Sequence, residues 1–210
     1  ISLLLVSFSS IAYGLTFTVR GLSLGLALGL ASAGLTTGWL LARSKLRAGW
    51  SAGIAALLGL CGLFLHLGDL YADFYAIFKR LNELGVGLVR DPLNGSLHLS
   101  QVNWVLAAWG ELWDKLSVLL ARLSAFFAGL ATSSPSYDPV VTILLWSLAL
   151  WGAAVWAAWA VRRRSEPLVA VTPGGVLLAA SLGYSRADPS SLLPLLGSAL
   201  LLITLIQHIS

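Results

Sequence analysis

Six stretches of this 210-residue chain contain no Asp, Glu, Lys or Arg: 1–19, 22–42, 50–68, 140–161, 168–184 and 192–209. A helix needs about 20 predominantly apolar residues to cross the hydrocarbon core of a bilayer. In lipid every backbone polar group must be satisfied within the chain, so uncharged runs of this length read as helices. The chain is 58% hydrophobic and 10% charged, whereas soluble domains carry about 45–50% apolar and about 25% charged residues. That balance excludes an ordinary cytosolic enzyme, a nucleic-acid-binding module and a disordered tail. The expected fold is all-α: a polytopic membrane bundle of about six transmembrane helices with an extracytoplasmic amphipathic-helix insertion. Helices one to three fall in 1–68, the insertion in 69–138, and helices four to six in 139–210. The chain holds no Met and opens on Ile1 inside an apolar run, which reads as a segment of a longer polypeptide.

The scarce charges orient the spans. Arg43, Lys45 and Arg47 occupy the short connection between the second and third stretches. Arg162, Arg163 and Arg164 occupy the one between the fourth and fifth. The remaining basic residues are spread among most of the acids. A basic excess in short loops marks the cytoplasmic side, so both connections are expected in the cytoplasm. Six alternating spans then leave 69–138 outside. Asp138-Pro139, Glu166-Pro167 and Asp188-Pro189 mark helix starts, because an acid complements the N-terminal dipole and Pro fits the first turn.

The outer segment has helical spacing of its own. Leu70, Phe74, Ile77, Phe78, Leu81 and Leu84 recur between charged residues. Asp91-Pro92 and Asn94-Gly95 interrupt the pattern, and Asn-Gly suits a small hairpin across 89–100. Residues 101–130 form the cleanest amphipathic helix. On its apolar face, Trp109, Trp113, Leu116, Leu120 and Phe127 are the candidate partner surface. Such a helix can lie in the membrane interface or act as a lid on the spans.

Few residues suggest chemistry. Gly21, Gly25, Gly29 and Ala33 repeat every four positions, with Gly34 and Gly38 on an adjacent line. Small residues at this spacing let helix backbones approach in lipid, within the chain or between subunits. His66, Asp69 and Asp73 share a helical face, grouped as a metal or proton site would need. The plainer reading, a polar helix end paired with arginines and water, is preferred. Cys61 points away from His66 and is expected in the core. His66 and His208 sit near opposite faces of the membrane, unsuited to paired haem ligation. Pro173-Gly174-Gly175 interrupts the fifth stretch, as in the broken helices of transporters or as a simple kink. Trp151 and Trp156 read as packing residues, since no polar partner accompanies them. No catalytic residue, cofactor or metal site is expected.

The stretch from Ser136-Tyr-Asp-Pro-Val-Val-Thr-Ile-Leu-Leu-Trp146 through Trp156-Ala-Ala-Trp-Ala-Val-Arg-Arg-Arg164, followed by Pro167-Leu-Val-Ala-Val-Thr-Pro-Gly-Gly-Val-Leu-Leu178, resembles the amino-terminal membrane region of bacterial transglutaminase-like membrane proteins. The connection Leu41-Ala-Arg-Ser-Lys-Leu-Arg-Ala-Gly-Trp50 is similar too. The resemblance implies a non-catalytic anchoring module, with a papain-like Cys-His-Asp domain following one further span. Nothing in this chain matches that triad. The expected partners are the bilayer and either another domain of the same polypeptide or subunits of a membrane complex. The alternative function is an accessory subunit of a respiratory or photosynthetic complex, and the third is a transporter.

Overall fold

Caps and prolines set the helix boundaries. The computed structural model describes residues 2–68, 70–90, 99–132, 137–164, 166–184 and 192–209. Among them are eight helices and no strand: α1 (Ser2–Thr18), α2 (Leu24–Arg43), α3 (Ala48–Leu67), α4 (Tyr71–Arg90), α5 (Leu99–Ala131), α6 (Pro139–Arg164), α7 (Pro167–Tyr184) and α8 (Leu192–Ile209). The all-helical expectation therefore holds. Ser23 caps α2, its Oγ accepting from Leu26 N at 3.2 Å. α6 and α7 begin at Pro139 and Pro167, directly after Asp138 and Glu166. The Glu166 carbonyl accepts from Ala170 N at 3.1 Å. Asp188-Pro189 and Asn94-Gly95 lie outside the described residues, so the expected hairpin does too.

Three helices, α2, α3 and α6, are long and apolar enough to cross a membrane. The apolar parts of α1, α7 and α8 are shorter. At 1.5 Å per residue α1 spans about 26 Å against about 30 Å of hydrocarbon. It stops because the chain turns at Gly21, whose φ of +93° lies in the left-handed region that glycine adopts without strain.

The chain divides into two units, 1–61 with 139–210, and 62–138. In the first, α1 is the central helix, packed on α2, α7 and α8 and touching α6. Leu4, Phe8, Ile11 and Leu15 recur at helical spacing and are fully buried. Two polar ties cross this apolar interior. The hydroxyls of Ser7 and Ser198 lie 2.6 Å apart between α1 and α8, and Thr18 Oγ1 donates to Ser181 O at 3.2 Å. Side-chain bonds of this kind fix the register of an apolar helix contact and contribute about 0.5–1.5 kcal/mol each.

The most extensive contact joins α2 and α6. It uses the line Ala27, Ala31, Gly34 and Gly38, all buried. A β-carbon at Gly34 would come within 2.9 Å of the Ala154 β-carbon, and one at Gly38 would overlap the Val155 carbonyl. The expected line is corrected to this extent. Gly25 and Gly29 face open space and Ala33 is exposed, while Gly21 serves the turn. The two lines are offset by about 100° per residue on the helix, and α6 meets only one of them.

The Pro173-Gly174-Gly175 segment does not break α7, which is helical through it. A β-carbon at Gly174 would sit 2.5 Å from Ile11 Cδ1 and 3.3 Å from Phe8 Cζ. The glycine is the notch into which α1 packs.

The second unit comprises the end of α3 from Gly62, together with α4 and α5. Leu63, Leu70 and Ile77 are buried in it. Leu119 Cδ1 lies 3.0 Å from where a Gly68 β-carbon would stand, so α5 closes on the turn after α3. Arg122 Nε and Asp138 Oδ2 pair at 3.4 Å, with the Arg side chain half exposed. Exposed pairs of this kind contribute little stability.

Candidate functional site

α3 stands off from α6, and the gap is an apolar cavity of about 380 Å³. Alanines on one side of α3, Ala52, Ala55 and Ala56, leave the room for it. Leu148, Gly152 and Val155 of α6 form the opposite wall. Trp151 spans the two helices. Its indole N–H donates to the Ala55 carbonyl at 3.0 Å. It reaches that atom because Gly59 has no side chain: a β-carbon there would stand 2.5 Å from the indole nitrogen. Ala52, Ala56, Gly152 and Trp156 are exposed, so the cavity opens sideways.

Two of the residues lining it carry unsatisfied polar groups. Ser51 is 3% exposed, and its Oγ has no hydrogen-bond partner. The Nε1 of Trp159 is buried and also without one. Unpaired groups in an apolar wall are costly, which makes them the places where a ligand oxygen would gain most.

The basic connections meet at the same end. Arg163 Nη1 donates to Leu46 O at 3.1 Å, so the loop after α2 and the end of α6 are joined. The Arg162 guanidinium lies over the Trp39 ring at 4.7 Å. That of Arg164 lies 5.5 Å from the Trp159 ring centroid and 6.0 Å from that of Trp156. The Arg164 contacts place positive charge against two residues of the cavity wall, whereas Trp39 under Arg162 is not part of that wall. Among the described residues, none of the three arginines forms an ion pair.

Trp156 also bonds outside the cavity, donating to Val169 O at 3.2 Å. The packing role expected of Trp151 and Trp156 is thus only part of theirs: each satisfies a backbone carbonyl on a neighbouring helix. Pro173 was the readable signal for the second, since it cannot donate to the residue four before it.

The other expected sites fare differently. His66 is exposed; Asp69 and the Asp73 side chain lie outside the described residues, and the expected cluster lies there with them. Among the described residues no group of three His, Cys, Asp or Glu could hold a metal ion. Cys61 is exposed on the surface of α3, a correction to the expected core position. Leu57 and Leu58 beside it on α3 are exposed too, and an apolar sequence alone does not say which face of an all-apolar helix is packed. His98 and the side chain of His208 lie outside the described residues. On α5, Trp109, Trp113, Leu120 and Phe127 are exposed and Leu116 is half-buried.

No family model, curated protein or solved structure matches the chain.

Proposed function

We propose that the chain is a non-catalytic, multi-pass membrane module of a bacterial plasma membrane that anchors a further domain of a transglutaminase-like protein. α1, α2, α3, α6, α7 and α8 are its six spans, the basic connections face the cytoplasm, and 69–138 faces outside. The observation that carries this is the meeting of the two basic connections at one end of an uncharged helical bundle, through Arg163 and Leu46. Positive charge gathered at one end is what cytoplasmic orientation requires. The outward side chains support it: Leu5, Phe17, Leu57, Val176 and Leu200 are exposed large apolar groups that lipid would cover. The shorter α1, α7 and α8 fit a bilayer that thins locally around them. The transglutaminase-like assignment rests on the sequence resemblance of 136–178.

The test is cysteine accessibility in intact cells, in a Cys61→Ala background. Lys45→Cys is expected to resist a membrane-impermeant maleimide, and Ser117→Cys to react. Labelling of both, or of Lys45→Cys alone, overturns the orientation.

The exposed stripe of Trp109, Trp113, Leu120 and Phe127 favours the second reading, an accessory subunit of a larger membrane complex. The third reading, a transporter, has less support: α7 is unbroken at Pro173, and Gly174 is taken up by packing against α1.

A further inference from the structure

We propose that the cavity between α3 and α6 is a binding site for one anionic glycerophospholipid, its acyl chain in the cavity and its phosphate on Arg164. The inference rests on the membrane reading above and adds a ligand to it. Three independent features converge on this occupant. The cavity is apolar, opens sideways where lipid tails would lie, and measures about 380 Å³. That is at the small end of ligand pockets, roughly 300–1,000 Å³, and suits a length of acyl chain with the headgroup outside. The headgroup position is supplied with charge: Arg164 is exposed, its guanidinium lies 5.5 Å from the Trp159 ring centroid and 6.0 Å from that of Trp156, and among the described residues it has no carboxylate partner. An oxygen acceptor between tail and headgroup is also called for. Trp159 lies five residues before Arg164, about 7.5 Å along the helix, and its Nε1 has no partner. The Ser51 hydroxyl, in the first turn of α3, is the second unpartnered group. The ester carbonyls of a glycerophospholipid lie between its phosphate and its tails, at the level of these two donors. A tail without a charged head would leave Arg164 unused, and a free phosphate would leave the cavity empty.

Native mass spectrometry of the chain in a nonionic detergent micelle tests this, using phosphatidylglycerol and phosphatidylcholine with identical acyl chains. The expected result is a single-lipid adduct favouring phosphatidylglycerol by at least roughly fivefold, the selectivity one surface arginine supplies. Arg164→Gln brings the two lipids to parity. Arg164→Lys keeps the charge and the preference, so loss of charge is told apart from loss of fold, and Arg164 makes only ring contacts. Ala56→Phe, at an exposed position of the cavity wall, lowers the adduct with both lipids several-fold by filling the space. Equal binding of both lipids to the unmodified chain overturns the proposal. So does selectivity that survives Arg164→Gln, or adduct unchanged by Ala56→Phe. Failure of the membrane reading appears separately, as release of the chain from cell membranes by alkaline carbonate, while the micelle measurement still reads lipid selectivity.

Discussion

The indole N–H of Trp156, on α6, donates to the carbonyl of Val169, on α7, at 3.2 Å. Val169 is the residue whose helical donor is missing, because Pro173 stands four positions on and has no N–H. A neighbouring helix thus repairs the bond that the proline removes, which is how proline is tolerated within spans. Trp156→Phe is expected to lower stability by about 0.6–1.7 kcal/mol, the range for hydrogen bonds between helices in membranes. Pro173→Ala restores a backbone donor, so the second substitution should offset the first. Denaturant titration of both single variants and the double variant in micelles measures the coupling. Strict additivity would show that the two residues do not share this carbonyl.

Gly38 and Gly29 lie on the same helix and give opposite expectations. At Gly38 a methyl group would overlap the Val155 carbonyl of α6, and backbone cannot step aside. Gly38→Ala should cost about 1–3 kcal/mol, as overpacking does. At Gly29 there is open space, so Gly29→Ala should be neutral or stabilise by up to about 1 kcal/mol through helix propensity. Thermal unfolding of the two variants in the same detergent checks the order. Equal losses would place the contact on the other small-residue line.

Gly59→Ala tests the wall of the cavity. Its methyl group would meet the Trp151 ring, a rigid neighbour at 2.5 Å, and push the indole off the Ala55 carbonyl. The expected outcome is a loss of about 1–3 kcal/mol, with Gly53→Ala, facing open space, as the matched control without loss. Both are read by the same unfolding assay.

Cys61 is exposed on a helix long and apolar enough to span the bilayer. If α3 crosses the bilayer, the lipid around this position keeps charged reagents from the thiol. In native membranes an uncharged, membrane-permeant maleimide should modify Cys61, and a sulfonated one should not until the chain is denatured. Reaction with both at equal rates would put this part of α3 in water.

The sequence made some of this readable and hid the rest for physical reasons. Helix existence was open to view because charge is absent from the shafts and prolines sit at the starts of α6 and α7. Packing faces were not. α2 offers two lines of small residues, and only the partner helix decides that Gly34 and Gly38 are buried while Gly25 and Gly29 are not. Cys61 was misplaced for the same reason: on a helix apolar all round, nothing in the sequence separates lipid from core. The cavity escaped because it is made by what is missing, the side chains that Ala52, Ala55 and Ala56 lack. The basic residues were legible as six separate charges, but not as two connections joined through Arg163 and Leu46.

α5 carries two apolar faces with different work to do. Leu119 closes on the Gly68 turn within the second unit, whereas Trp113 is 58% exposed on the other side. Removal of packed side-chain volume costs stability, about 2–5 kcal/mol for a fully buried Leu→Ala and correspondingly less at a half-buried site. Exposed substitutions usually stay within about 0.5 kcal/mol. Leu119→Ala should therefore lower the unfolding midpoint and raise amide exchange in α4 and α5. Trp113→Glu should leave both unchanged while removing apolar contact area from the outer face. If Trp113 instead covers a partner or a lipid surface, its substitution by Glu should shift the chain's assembly size in a nanodisc, or its tryptophan emission toward the red. A Trp113→Glu variant that unfolds as readily as Leu119→Ala would show that the outer face is part of the fold and not a free surface.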